Sequence, residues 1–178
     1  TTACFEPALD YIALKIPRWD LDKFRKVSKQ ISTEMKSVGE IMALGRSFEE
    51  VIQKGLRMLQ IGFHGLVAND ELNLATENLK HEISNPTPKR ILAIAEALKR
   101  GWSVEEINKL CKIDCWFLHK LKNIIETEKE LSKIKKGTLS KEILLKAKKQ
   151  GFSDKQIADV TTREEMDIRS LRKKLNIV

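Results

Sequence analysis

The chain has 178 residues, 42% apolar and 33% charged, a mixture that builds a core under a wet surface and excludes wholesale disorder. The length fits one domain or one and a fraction, and no apolar run approaches the ~18–20 residues that cross a bilayer. The formal charge is +8, and the excess lies in residues 89–178, with 22 Lys/Arg against 13 Asp/Glu; this raises a nucleic-acid or phosphate partner beside the plainer reading of a solvated lysine face.

The chain opens at Thr1 rather than Met and carries no secretory signal pattern, as expected of a cleaved or excised segment. Asp10 to Ile16 is a short apolar run between Pro7 and Pro17, which bound it as a strand because proline removes a ladder donor. Trp19 to Phe24 reads as a short helix. Met35 to Leu44, with Gly39 inside it and Gly45 after it, reads as a buried strand or as backbone passing close to another element. Two strands do not make a stable sheet alone, so this opening segment is expected to need partners outside the chain.

From Arg46 onward the patterning is helical. Ser47-Phe48-Glu49-Glu50 has the form of a capping box, followed by Phe48, Val51, Ile52, Leu56 and Leu59 at helical spacing. Gly62 and Gly65 end that helix and open a loop. A second amphipathic run follows Asp70, with Leu72, Ala75, Leu79 and Ile83 on an inward stripe; Leu74 falls off the stripe. Asn85-Pro86-Thr87-Pro88 is a break, with Pro88 suited to the first turn of a helix that runs to Gly101. A repeat then appears at an offset of 50 residues. Gly101-Trp102-Ser103 matches Gly151-Phe152-Ser153, Glu106-Ile107 matches Gln156-Ile157, and Leu110, Leu118 and Leu121 match Val160, Ile168 and Leu171. In each copy the glycine closes a helix, the aromatic fills the corner and Ser103 or Ser153 opens a capping box. Asp114 and Thr162 stand where the next helix would be capped. Trp116 to Lys135 has few helix breakers. Each copy thus reads as helix, tight turn, short helix, turn, helix.

Little here is catalytic. No phosphate-binding glycine loop or nucleophile elbow occurs. His64, His81 and His119 are isolated, and His64 sits in the glycine loop. Cys111, Cys115 and His119 are spaced as three ligands on one helix face, but structural zinc takes four, and buried thiols are the simpler reading. Three cysteines (Cys4 is the third) form no disulfide framework, which implies a reducing cytoplasm. The second repeat has the apolar spacing of a DNA-reading helix-turn-helix, the alternative function. Against it, the would-be recognition helix opens with Arg163, Glu164, Glu165 and Asp167, and carboxylates repel phosphates. In the first copy that helix opens with Cys115, Trp116 and Phe117, which read as core.

Three stretches go beyond general patterns: Cys4-Phe-Glu-Pro-Ala-Leu-Asp-Tyr11, Lys15-Ile-Pro-Arg-Trp-Asp20 and Met35-Lys-Ser-Val-Gly-Glu-Ile-Met-Ala-Leu-Gly-Arg46. They resemble consecutive landmarks of the carbamoyl phosphate synthetase large subunit, and Trp116-Phe-Leu-His119 and Gly151-Phe-Ser-Asp-Lys-Gln-Ile157 extend the likeness. The resemblance implies a mainly α fold: residues 46–178 as a multi-helix oligomerisation domain with helix-turn-helix-like repeats, preceded in residues 1–45 by a short α/β remnant of an ATP-grasp domain. It implies a parent ligase that makes carbamoyl phosphate, an arginine and pyrimidine precursor, from bicarbonate, ammonia and two ATP. The parent's cofactors would be ATP with magnesium or manganese, and potassium, bound upstream, so that this segment holds none and is inactive alone. Implied partners are a glutaminase subunit or domain, the flanking ATP-grasp domains and further copies of the chain, with no membrane and no nucleic acid. Carried over, Met35, Val38 and Glu40 would line the tunnel that passes carbamate between sites, with plain sheet core as the other reading of Met35 and Val38. Leu74 is the candidate contact for a partner subunit.

Overall fold

The computed structural model describes residues 10–23, 26–69, 75–134 and 137–177. Strands β1 (Ile12–Arg18) and β2 (Gly39–Gly45) pair antiparallel, Ile12 opposite Gly45 and Arg18 opposite Gly39. Eight helices follow among the described residues: α1 (Phe48–Met58), α2 (Thr76–Ser84), α3 (Arg90–Lys99), α4 (Val104–Cys111), α5 (Cys115–Ser132), α6 (Lys141–Lys149), α7 (Asp154–Thr161) and α8 (Glu165–Lys174). The protein is therefore mainly α with a small sheet at its start. No helix among the described residues is long and apolar enough to cross a membrane.

The opening segment departs from expectation in instructive ways. β1 runs through Pro17, which lies opposite Glu40; in a two-stranded sheet each strand has a free edge, where a missing donor costs nothing. β2 starts only at Gly39, and it is half exposed rather than buried. The two strands find partners in each other and in α1. Leu14, Ile16, Ile41 and Ala43 face α1, and there Gly55 leaves room for Ile16, whose Cδ1 a Cβ at that position would meet at 2.6 Å. Of the short helix expected over Trp19 to Phe24, Leu21–Lys23 form a 3-10 turn with Leu21 buried, and Phe24 lies outside the described residues.

Elsewhere the start and stop signals mostly hold. Ser47 Oγ accepts from Glu50 N at 3.2 Å, but the Glu50 carboxylate takes Arg46 N at 2.8 Å instead of completing the box. α1 closes on Leu59, before the glycines. Leu79 and Ile83 are fully buried, whereas Ala75 is the exposed N-cap of α2; Leu72 and Leu74 lie outside the described residues. Pro88 sits two residues ahead of α3, not in its first turn.

The repeat is a structural one. α4 and α7 share bounds at an offset of 50, as do the starts of α5 and α8 and the ends of α3 and α6. Gly101 and Gly151 take φ of 89° and 82°. Trp102 N and Phe152 N donate to Ala97 O and Ala147 O, closing both corners alike. Both capping boxes form. Asp114 caps α5 through Trp116 N at 2.8 Å. Thr162 does not cap α8: it ends α7 in the left-handed region, as Lys112 ends α4, and Glu164 is the N-cap of α8 without a side-chain bond. The main core lies between these helices and α1, with Leu118, Ile124, Ile157 and Ile168 at 0% exposure.

Candidate contact surface

The sheet has two unlike faces. Its inner face packs on α1. Its outer face alternates with it and carries Ala13, Lys15 and Pro17 from β1 with Leu44, Met42 and Glu40 from β2. Met42 and Leu44 are 58% and 51% exposed, and the Lys15–Glu40 ion pair at 2.8 Å lies open to solvent, where such pairs contribute little. Val38 N donates to Arg18 O at 2.9 Å, carrying the pairing one residue past β2. Val38 is exposed and Met35, outside any strand, is 95% exposed. The three proposed tunnel residues are therefore all exposed. The interior content of the strand pair is supplied by Leu14, Ile16, Ile41 and Ala43 instead.

A second exposed apolar cluster lies at the start of α1 and of α5. Phe48, Trp116 and Phe117 form a three-ring set with centroids 5.0 to 5.6 Å apart, and Lys120 Nζ stands 5.4 Å over the Trp116 ring. Trp116 and Phe117 are 50% and 43% exposed; they are not core, because the inward position of this turn belongs to Leu118. Asn123 Nδ2 donates to Glu49 Oε1 at 2.8 Å and Lys120 pairs with the same oxygen at 3.5 Å, fixing α1 against α5.

Two buried polar assemblies went unforeseen. Gln53 and Gln156, both fully buried, join α1, the loop after it and α7. Gln156 Nε2 donates to Gln53 Oε1 and to Val67 O, each at 3.0 Å, and Leu66 N donates to Gln53 Oε1 at 3.1 Å. Arg57 adds bonds to His64 O, Gly151 O and Gln156 Oε1 at 3.1 to 3.4 Å; burial pulls its guanidinium below its ordinary pKa. Every member is satisfied, which is the condition for such a network to fix one packing. The signal was present in Gln53, set directly after the apolar pair Val51 and Ile52. The second assembly is Asp154 between Lys148 (2.9 Å) and Arg172 (3.2 Å), with Arg172 Nη1 also donating to Ile177 O at 3.0 Å. Burial alone raises the Asp154 pKa. The hydrogen bonds and charges of Lys148 and Arg172 outweigh that, and the carboxyl is held below its ordinary value of 3.8. Both groups lock helices together; neither opens on a cleft with a reactive centre.

The remaining chemical candidates separate in space. Cys111 is at the end of α4, whereas Cys115 and His119 are on α5, so the three do not share one helix face. Cys111 is buried and its Sγ accepts from Ile113 N at 3.4 Å. No three His, Cys, Asp or Glu among the described residues are grouped to hold a metal ion. His64 is exposed and lines an open groove with Asn69, Lys99, Glu128 and Lys155. Glu128 Oε1 in that groove is taken up by Ala68 N at 3.1 Å and Lys99 Nζ at 2.9 Å. At the start of α8, Glu164, Glu165 and Asp167 are all exposed, an arrangement that repels a phosphate backbone.

A family model described as the carbamoyl-phosphate synthetase large chain, oligomerisation domain, matches residues 40–176. Among curated relatives, multifunctional protein pyr1-3 of Dictyostelium discoideum is 49% identical over 179 residues, covering 100% of this chain and 8% of that protein. The carbamoyl phosphate synthase large chain of Caldanaerobacter subterraneus subsp. tengcongensis is 49% identical over 177 residues, 99% of this chain and 16% of that one. The mitochondrial carbamoyl-phosphate synthase (ammonia) of Mus musculus is 47% identical over 180 residues, 99% and 12% respectively. The chain thus spans only 8% to 16% of the length of these relatives.

Proposed function

We propose a function from one premise: the chain belongs to the carbamoyl-phosphate synthetase large-chain family, over its oligomerisation domain. In this reading it is an internal segment of a glutamine-dependent ligase that makes carbamoyl phosphate from bicarbonate, ammonia and two ATP, feeding arginine and pyrimidine synthesis. The segment does no chemistry. It joins two ATP-grasp halves and offers surface for self-association, with residues 1–45 belonging to the first half and residues 46–178 to the helical domain. The glutaminase, the nucleotides and the metal and potassium ions act on other parts of the longer chain. We place the whole in the cytoplasm, where the free thiols of Cys111 and Cys115 stay reduced.

The observation that supports the linking role is the two-faced sheet. One face is packed on α1 and the other shows Met42 and Leu44 to solvent, and a two-stranded sheet is marginal by itself. Further chain laid on that face would complete it. The same cover would enclose Met35, Val38 and Glu40, all exposed in or just before β2, and turn them into a wall; two apolar side chains and one carboxylate suit a passage that shields a water-labile intermediate. Leu74 remains our proposed contact between copies and lies outside the described residues. The direct test is ATP turnover in bicarbonate. The 178-residue chain should show none, and a longer chain carrying both flanking units should show it. Turnover by the short chain would overturn the reading.

A further inference from the structure

We propose that the Phe48–Trp116–Phe117 cluster is a second seat for the unit that completes the sheet: a contact between the helical part and an apolar face of the same longer polypeptide. The inference rests on the linking role above and adds the residues through which the helical part would grip its neighbour.

Three aromatic rings in mutual contact at the surface, two of them about half exposed, are unusual unless something covers them. The repeat shows that the corner does not need them. At the offset of 50, Trp116 and Phe117 correspond to Met166 and Asp167, and α8 turns its corner on Ile168 just as α5 does on Leu118, both at 0% exposure. The same supersecondary unit therefore folds with no aromatic at either position. The rings occur in the copy whose long helix, α5, packs on α1, and Phe48 of α1 completes the set.

Their placement names the occupant. Phe48 opens α1 three residues after β2 ends at Gly45, and the Glu49 contacts to Asn123 and Lys120 hold that end of α1 on α5. The cluster therefore adjoins, along the chain, the sheet whose outer face is itself uncovered. Relatives carry at least six times the length of this chain, so the same polypeptide has ample material to lie on both. An apolar strand or helix face fits best, leaving Lys120 at the rim above the Trp116 ring.

Hydroxyl-radical footprinting read by mass spectrometry tests this on the 178-residue chain and on the full-length parent. Both are labelled at a dilution where each is monomeric. Oxidation of Trp116 and Phe117 should fall several-fold in the long chain, while Trp102, at a corner inside the helical part, should change little. Met42 reports the sheet face separately. Protection of Met42 without protection of Trp116 and Phe117 sinks this inference and leaves the linking role standing; protection of neither sinks both. If Trp116 is protected only as concentration rises, a second copy is the occupant and the proposal is wrong.

Discussion

Gly101 and Gly151 show how one backbone angle carries different weights in two copies of a motif. Both sit in the left-handed region, which penalises any residue with a Cβ. A Cβ on Gly101 would meet nothing within 4 Å, but one on Gly151 would meet Glu50 O at 2.8 Å and Glu50 Cα at 2.9 Å. Gly101→Ala should therefore cost about 1 kcal/mol from the backbone angle alone, and Gly151→Ala about 3 kcal/mol or more, since the backbone of α1 must give way as well. Urea unfolding of the two variants measures the difference. Asp154 is the other telling residue. Its side chain is 10% exposed and those of Lys148 and Arg172 are 20% and 17%, so Asp154→Asn strands two poorly hydrated cations and should destabilise by roughly 2–3 kcal/mol near neutral pH. Because the folded carboxyl titrates below 3.8, its contribution is fully present above that value and is lost as the pH falls through the folded pKa. The gap between wild type and Asp154→Asn in urea midpoint should therefore be widest near neutrality and shrink below about pH 4. None of this trio was readable beforehand: the matching positions of the first copy are Leu98, Val104 and Lys122, so an apolar pair stands where the second copy puts an ion pair.

At the level of elements, the corner grammar was legible and the joints between its words less so. The Gly-aromatic-Ser triplets, the capping partners Glu106 and Gln156 and the offset of 50 all have local causes, and the sequence expresses local causes directly. The αL exits at Lys112 and Thr162 do not announce themselves, because neither residue favours φ of 59° or 57°; the following helix imposes them. Replacing each by glycine should thus stabilise the protein, by about 0.5–1 kcal/mol at Lys112 and more at β-branched Thr162, readable as a rise in melting temperature. Both side chains are exposed, so little packing is forfeited. The proposed tunnel strand failed to appear as buried for a related reason. Met35 and Val38 are exposed, and only chain laid over them from outside these 178 residues would bury them, which no local rule within the segment encodes.

For the molecule as a whole, the uncovered sheet is a liability in isolation. Apolar side chains beside free strand edges invite pairing between chains. Met42→Lys with Leu44→Lys should suppress light scattering on concentration while leaving the urea midpoint of the helical part nearly unchanged, because neither side chain contributes to its core. An unchanged scattering profile would show that association runs through another surface.

The sheet's principal packing is on α1, and α1 in turn leans on α5 and, through Gly151, on the second corner. One eleven-residue rod thus sets the attitude of the strands toward the repeats. Torque arriving from the strand side passes along that axle into the second corner, where Glu50 and Gln53 lie against Gly151, while the bond from Ile31 N to Pro86 O (2.7 Å) carries a share from the strand connection to the turn before α3.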